Sequence, residues 1–281
     1  MLETLSLEEI KEVELGILRE LDRVCKREGL AYFLAYGTLI GALRHKGFIP
    51  WDDDVDVYMP RPDYERLYQL AQAGALGPQF RIVSYRDRSS IYSFFKLVDT
   101  RTRAEESFIT DKNPLGLWVD IFPLERVDIS TPSITKAKRR ASRLVWWRFL
   151  ASTDPRYATS TTAKAAKWFI YPFTRLIDPY RVARKTDELA RSTNLADGVA
   201  TASTRYVLLV DDHMDKNTIR PDQLLPARQA YFEGYQFDVP TKAESILADY
   251  YGDWQQVPPK EDRPPSHLRA VTWVQGDADA Q

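Results

Sequence analysis

Four carboxylates fall within five positions of Trp51-Asp52-Asp53-Asp54-Val55-Asp56-Val57. Like charges this close repel one another, and a fold tolerates them only where water, a cation or hydrogen-bond donors offset the charge. The residues that follow narrow the options. Over 54–59 polar and apolar side chains alternate, the pattern of a strand with one apolar face. On such a strand Asp54 and Asp56 share a face, while Val55 and Val57 point the other way. Asp52 has the same parity at the strand mouth. Asp53 has the opposite parity and is expected to be dispensable. Two readings stand here: an acidic loop on a solvated edge, or hard oxygen ligands for Mg²⁺ or Mn²⁺. Such ions keep waters and bridge carboxylates to substrate phosphates. A calcium EF-hand loop is excluded, because no Gly stands at its sixth position and no Glu at its twelfth.

Upstream, Ser6-Leu7-Glu8-Glu9 has the form of a capping box. Ile10, Val13, Ile17, Leu21 and Val24 then recur at helical spacing, and Gly29 suits the stop. Cys25 is placed on the buried face of that helix. As the lone cysteine of 281 residues it forms no intramolecular disulfide. A buried strand is expected over 31–36, then a Gly37-Thr38 turn opening a helix over 39–44. Such a turn offers backbone N–H groups and a hydroxyl to an anion. A helix over 63–73 and strands over 80–85, 93–99 and 117–122 follow. In the last of these Asp120 is a lone charge in an apolar run, a costly placement unless it is paired or liganded. A hairpin is expected over 229–233 and 235–239. Thr241-Lys242-Ala243-Glu244 has the form of a second capping box, with its helix ending near Gly252. The tail after Pro258 is expected to be irregular.

The fold class expected is mixed α/β: a nucleotidyltransferase-like mixed sheet flanked by helices, with a basic, mostly helical insertion. The order of strand, Gly-Thr turn, helix, strand with Asp-x-Asp, and later strand with Asp is the pattern of enzymes of that fold. The divisions expected are a catalytic core over 1–128, an insertion over 129–205 and a part completing the active site over 206–281.

Charge is unevenly spread. Residues 131–191 carry fourteen Lys or Arg against four Asp or Glu, a local +10 in a chain of net −1, leaving −11 elsewhere. Trp146, Trp147, Phe149, Trp168 and Phe173 lie among these basic residues. Interleaved cations and aromatics suit an anionic membrane surface. A helical insertion with its aromatics on the core and its basic face in water would read the same way. The basic residues follow no nucleic-acid motif, so nucleic acid is not an expected partner. The N-terminus lacks the basic and apolar regions of a secretory signal, and no apolar run approaches the length of a membrane span. The expected location is the cytoplasm, or the cytosolic face of a membrane.

The stretch Tyr32-Phe33-Leu34-Ala35-Tyr36-Gly37-Thr38-Leu39-Ile40-Gly41-Ala42-Leu43-Arg44-His45-Lys46-Gly47, continuing through WDDDVDV to Leu67, closely resembles the signature of the LicD family. These are bacterial phosphorylcholine transferases, related to the fukutin-type phosphotransferases of animals. Phe95-Lys96-Leu97-Val98-Asp99, Trp118-Val119-Asp120-Ile121-Phe122-Pro123-Leu124, Phe232-Glu233-Gly234 and Tyr251-Gly252-Asp253-Trp254 also fit, as do Arg263 and His267. The resemblance covers roughly 15–128 and 225–270, and the basic middle is its least family-like part.

The resemblance implies transfer of a substituted phosphate, such as phosphocholine, from a CDP-activated alcohol to a hydroxyl of a glycan or lipid-linked glycan. It places metal ligands on Asp54 and Asp56 beside Asp52, with a looser match for Asp120. Phosphoryl transfer needs positioning and positive charge more than covalent chemistry. Gly37 and Thr38 would then hold phosphates. Arg44, Lys96, Arg263 and His267 would stabilise the CMP leaving group, each also open to a plain salt-bridge reading. Asp120 is the first candidate for general base and Asp52 the second, with His45 and His213 behind them. Two alternatives remain: a nucleotidyltransferase using an NTP on a small substrate or RNA, and an inactive binding module.

Overall fold

The computed structural model describes residues 4–106, 115–152, 168, 171, 173–196, 198–210, 218–263 and 266–274. His213 lies outside them. Helix α1 (Leu7–Glu28) starts where its capping box predicts: Ser6 Oγ accepts from the Glu9 N–H, and Glu9 accepts from the Ser6 N–H at 2.7 Å. Gly29 ends it at φ +68°, in the left-handed region that glycine adopts without a Cβ clash. The stripe Ile17, Leu18, Leu21, Val24 and Cys25 is fully buried and packs beneath the sheet. Each large apolar side chain removed from water there contributes about 1.5–3 kcal/mol.

Among the described residues the main sheet has seven strands. Its path is β1 (Phe33–Leu34), β2 (Asp56–Pro60), β6 (Trp118–Asp128), β4 (Phe95–Asp99) and β3 (Phe80–Val83). The far half of β6 carries β7 (Thr204–Val207), which pairs with β8 (Thr218–Ile219). β2 and β6 run parallel, and the other pairings are antiparallel. The sheet is therefore mixed and flanked by helices, as expected. The hairpin of β9 (Arg228–Phe232) and β10 (Tyr235–Val239) also matches, with Gly234 at φ +79° in its turn.

Several boundaries differ. The strand expected over 31–36 shrinks to two residues, because Tyr36 turns to φ +45° and opens helix α2 (Tyr36–Ile40), which runs on as a π turn (Gly41–His45). β2 begins at Asp56, so Asp54 precedes the strand. β6 runs six residues past the expected end, into charged sequence whose Glu125 is fully buried. That carboxylate is ion-paired to Arg61 of α3 (Arg61–Gln72), and Arg61 also meets Asp187 at 2.8 Å. Asp187 belongs to α5 (Pro179–Arg191), which packs on α4 (Pro132–Ser152). A buried ion network thus anchors the basic helices to the sheet.

Two expectations fail. The second capping box is absent: helix α6 (Ala243–Tyr251) has Lys242 at its N-cap without a side-chain bond, and Glu244 is drawn instead to Arg228 at 2.6 Å. The tail is not irregular: β11 (Leu268–Trp273) pairs antiparallel with β5 (Thr102–Glu106), a strand the local pattern had hidden. Leu5 N–H donates to Val271 O at 2.8 Å, so the C-terminal strand is held from both sides.

Candidate active site

At the start of β2 three neighbouring strands align three charged residues. Asp56 is the register partner of Asp120 on β6, and Asp120 that of Lys96 on β4. The Asp120 N–H donates to Val55 O at 2.8 Å. Residues paired in a sheet project to the same face, so the row Asp56–Asp120–Lys96 opens on one side. Lys96 Nζ is 2.9 Å from Asp120 Oδ1 and 3.9 Å from the Trp118 ring centroid. The buried ammonium of Lys96 is thereby both ion-paired and seated on a ring face.

The row faces a cavity of about 1100 Å³. Asp52, Asp54, Asp56 and Asp120 all line it, so the structure brings the predicted carboxylates together. Their crowding appears in their titration. Burial, and next the charge of Asp54, raises Asp52 to about 7. Burial raises Asp120 to about 6, with Lys96 opposing. Asp56 is pushed well above the carboxylate range by burial and then by Asp54, Asp120 and Asp52. Hard oxygens held in this state are a donor set that fits a hard divalent cation.

Gly37 lines the same cavity, and a Cβ there would lie 2.5 Å from Asp52 Oδ2, so any larger residue would push that carboxylate aside from the start of α2. Thr38 is buried instead, and its Oγ1 accepts from the Asp56 N–H at 2.9 Å. It steadies the start of β2 and does not line the cavity. Arg44 lines the cavity with its guanidinium donating to Trp254 O at 2.6 Å and to His45 Nε2 at 2.9 Å. His45 is thus a partner of Arg44, and burial and that charge lower its pKa. Arg263 stacks over Trp51 at 3.8 Å beside the cavity, not among its lining residues. His267 lines the rim, with Nδ1 2.9 Å from Asp54 Oδ2. That hydrogen bond, before other causes, raises it to about 9.

Asp53, expected to be dispensable, is tied into the fold. It is buried and accepts from Ser266 Oγ at 2.5 Å, His267 N–H at 3.2 Å and Leu268 N–H at 3.1 Å. The opposite parity that removes it from the cavity aims it at the incoming C-terminal strand. One ligand atom each of Asp53, Asp54 and His267 lie within 4.8 Å of one another, a group that could hold a metal ion.

Two further acids escaped sequence reasoning. Glu106, from β5, lines the cavity and accepts from Tyr92 Oη. Glu14 on α1 is buried and raised well above its ordinary range by burial and then by Asp54, Asp53 and Asp52. A signal for it existed: Glu14 stands four residues from Ile10 and Leu18, inside the apolar stripe.

A family model described as the LicD/FKTN/FKRP nucleotidyltransferase domain matches residues 29–175, more than half of the chain. The chain belongs to the LicD family. It is also 29% identical over 272 residues to the lipopolysaccharide cholinephosphotransferase LicD of Haemophilus influenzae, covering 94% of this chain and 97% of that protein. A Rickettsia prowazekii protein of uncharacterized function is 30% identical over 91 residues, 29% of this chain and 32% of its own length. The family match spans Gly37, the aspartate cluster, Lys96 and Asp120, the residues that meet at the cavity. It ends before Tyr250, Tyr251 and His267, which the C-terminal part brings to the same wall. No helix among the described residues is long and apolar enough to cross a membrane.

Proposed function

We propose that this LicD-family chain transfers a substituted phosphate, phosphocholine or a close relative, from a CDP-activated alcohol to a hydroxyl of a cell-surface glycan or its lipid-linked precursor. The observation that carries the reading is the row Asp56–Asp120–Lys96 opening, with Asp52 and Asp54, on one large cavity edged by Gly37. The near full-length likeness to a lipopolysaccharide cholinephosphotransferase supports the choice of donor and acceptor class.

Asp54, Asp56 and Asp120 would hold Mg²⁺ or Mn²⁺, which when bound supplies positive charge to the diphosphate and to the attacking and leaving oxygens. The chain's own groups do the rest. Gly37 lets the donor diphosphate approach the backbone. Arg44 and His267, on the rim, face the CMP leaving group. The acceptor oxygen forms the new bond to phosphorus as the bond to CMP breaks, and the acceptor proton needs a base. Of the two candidates Asp52 is favoured over Asp120, because Asp120 is ion-paired to Lys96 and is among the residues that would hold the metal, while Asp52 lines the cavity outside that set.

A screen of CDP-choline, CDP-ethanolamine, CDP-glycerol and CDP-ribitol with Mg²⁺ or Mn²⁺, scoring donor-dependent CMP release, tests the reading. Pyrophosphate release from an NTP instead would make the chain a nucleotidyltransferase.

The acceptor class suggests a membrane-bound workplace, and α4 suits one. Its 21 residues include no acid. Lys136, Arg139, Arg140 and Arg143 are exposed on its first half, and Trp146, Trp147 and Phe149 on its second, with Trp146 54% accessible. Cations followed by indoles on an outward face suit anionic headgroups and the interface below them. On the inward face Arg148 is buried over the Tyr92 ring at 4.7 Å, so the aromatic end of α4 abuts the cavity wall. Flotation with vesicles containing anionic lipid is the measurement. Failure to float at low salt sinks peripheral docking.

A further inference from the structure

Opposite in character to its carboxylates, the cavity has an aromatic wall. Tyr92, Phe94, Phe122, Tyr36, Tyr250 and Tyr251 all line it and form one chain of ring contacts. Successive centroids are 5.0, 4.4, 5.6, 5.4 and 5.1 Å apart, and successive planes are turned by 37° to 82°. Rings turned against one another in this way make a curved surface rather than a flat stack.

Two observations show what this surface favours. First, the protein seats a cation of its own on one end of it: Lys96 Nζ is 4.4 Å from the Tyr92 centroid and 5.8 Å from that of Phe94. Ring faces carry negative potential, so a second cation finds the same attraction further along. Secondly, among the described residues the cavity is lined by seven carboxylates against three cationic side chains. A divalent ion leaves part of that excess uncompensated. A neutral polyol would leave it untouched, whereas a monocation relieves it. The rings at the far end are near enough to feel the acids: after burial, the charges of Asp56, Asp52 and Asp54 push the Tyr251 phenol upward.

Tyr36 adds a structural reason to regard this wall as built for a ligand. Its φ of +45° is a conformation that bulky L-residues rarely adopt, and it persists while the ring packs edge-on against Tyr58 at 5.1 Å and between Phe122 and Tyr250. Strain of this kind is retained where the surroundings over-determine it, commonly at binding sites. Here it brings a ring to the cavity one residue before Gly37.

We propose that Tyr36, Phe122, Tyr250 and Tyr251 form the subsite for a quaternary ammonium group at the alcohol end of the donor, while the aspartate side takes the diphosphate. This rests on the donor reading above and narrows it, since it selects choline over glycerol or ribitol. A trimethylammonium group, with no N–H to give, gains from ring faces what a primary ammonium would seek from hydrogen bonds.

The test compares kcat/KM for CMP release from CDP-choline with that from its neutral carbon isostere, CDP-3,3-dimethylbutanol, which has the same shape and no charge. The wild type should prefer the charged donor by about tenfold or more, chiefly through KM. Tyr251→Leu, at an exposed position whose loss does not open the core, should remove most of that preference, and Tyr251→Phe should retain it. Equal turnover of both donors by the wild type, or an unchanged preference in Tyr251→Leu, overturns the subsite while the phosphotransferase reading survives. If no CDP-alcohol releases CMP, that reading fails instead. The subsite then answers to calorimetric titration with tetramethylammonium: weaker binding in Tyr251→Leu than in wild type upholds it, and no saturable binding to the wild type overturns it.

Discussion

Asp56 and Asp120 are register partners across the parallel β2–β6 pair, and Lys96 faces Asp120 from the other side of β6. Residues 64 positions apart in sequence thus share one face of one sheet, with the sole cation of the row at its edge. The arrangement leaves Asp56 short of positive charge, which is the condition a bound cation would relieve.

Asp54→Asn and Asp56→Asn should each lower donor-dependent CMP release by about a thousandfold, the scale of losing several kcal/mol of charge stabilisation. Far-UV circular dichroism should be unchanged. Asp56→Asn should also melt higher than wild type without metal, since burial and three neighbouring carboxylates disfavour its charge. Wild-type rates in either variant would remove these residues from the metal assignment.

The stability of the cation-free protein should fall as pH rises. Asp52 and Asp120 are raised from 3.8 to about 7 and about 6, and His267 from 6.5 to about 9. A group whose pKa is higher in the folded state stabilises below its unfolded value and loses that contribution as pH climbs through the folded one. The aspartates therefore lose theirs between about pH 4 and pH 7, and His267 between about pH 6.5 and pH 9. Melting curves of wild type and Asp52→Asn should diverge across the first window, the variant declining less. Added Mg²⁺ or Mn²⁺ should raise Tm more at about pH 8 than at about pH 5, where protons compete for the same oxygens. Equal shifts at both values would contradict a carboxylate site.

Gly37→Ala should raise KM for the donor and destabilise the fold by about 1–3 kcal/mol. The added methyl would stand 2.5 Å from Asp52 Oδ2, and the aspartate must yield. Kinetics indistinguishable from wild type would show that the turn need not approach the diphosphate.

Asp53→Ala should cost about 2–4 kcal/mol, because it strips the acceptor from two backbone N–H groups and one hydroxyl. Hydrogen exchange should quicken in β5 and β11 before it does in β2. An unchanged Tm would mean that the contact of Asp53 with the tail carries no stability.

Much of the core was legible locally. The capping box, the stripe from Ile10 to Cys25 and Gly29 describe α1 without reference to anything else, because helix termini and amphipathic faces are short-range properties. The WDDDVDV alternation likewise predicted which aspartates reach the cavity, with Asp54 placed just before the strand rather than on it. Glu244 shows the limit. Its spacing from Thr241 has the form of a cap, yet a guanidinium from a neighbouring strand competes for the carboxylate and wins.

The sequence by itself determined the carboxylate-bearing strands and the family, since each rests on residues close together in the chain, whereas the turn expected at Gly37-Thr38 lies inside helix α2, which opens at Tyr36. Only the tertiary structure decided that Thr38 holds the Asp56 backbone and that Asp53 fastens the C-terminal strand. It also decided that Glu106 and Tyr251 reach the same cavity. The pairing of β5 with β11 joins segments more than 160 residues apart, and β5, a short run of mostly polar residues, has too little local pattern to announce itself. Strand partners and ring-to-ring contacts are set by packing across the whole fold, and no local window of sequence contains both halves of such a contact.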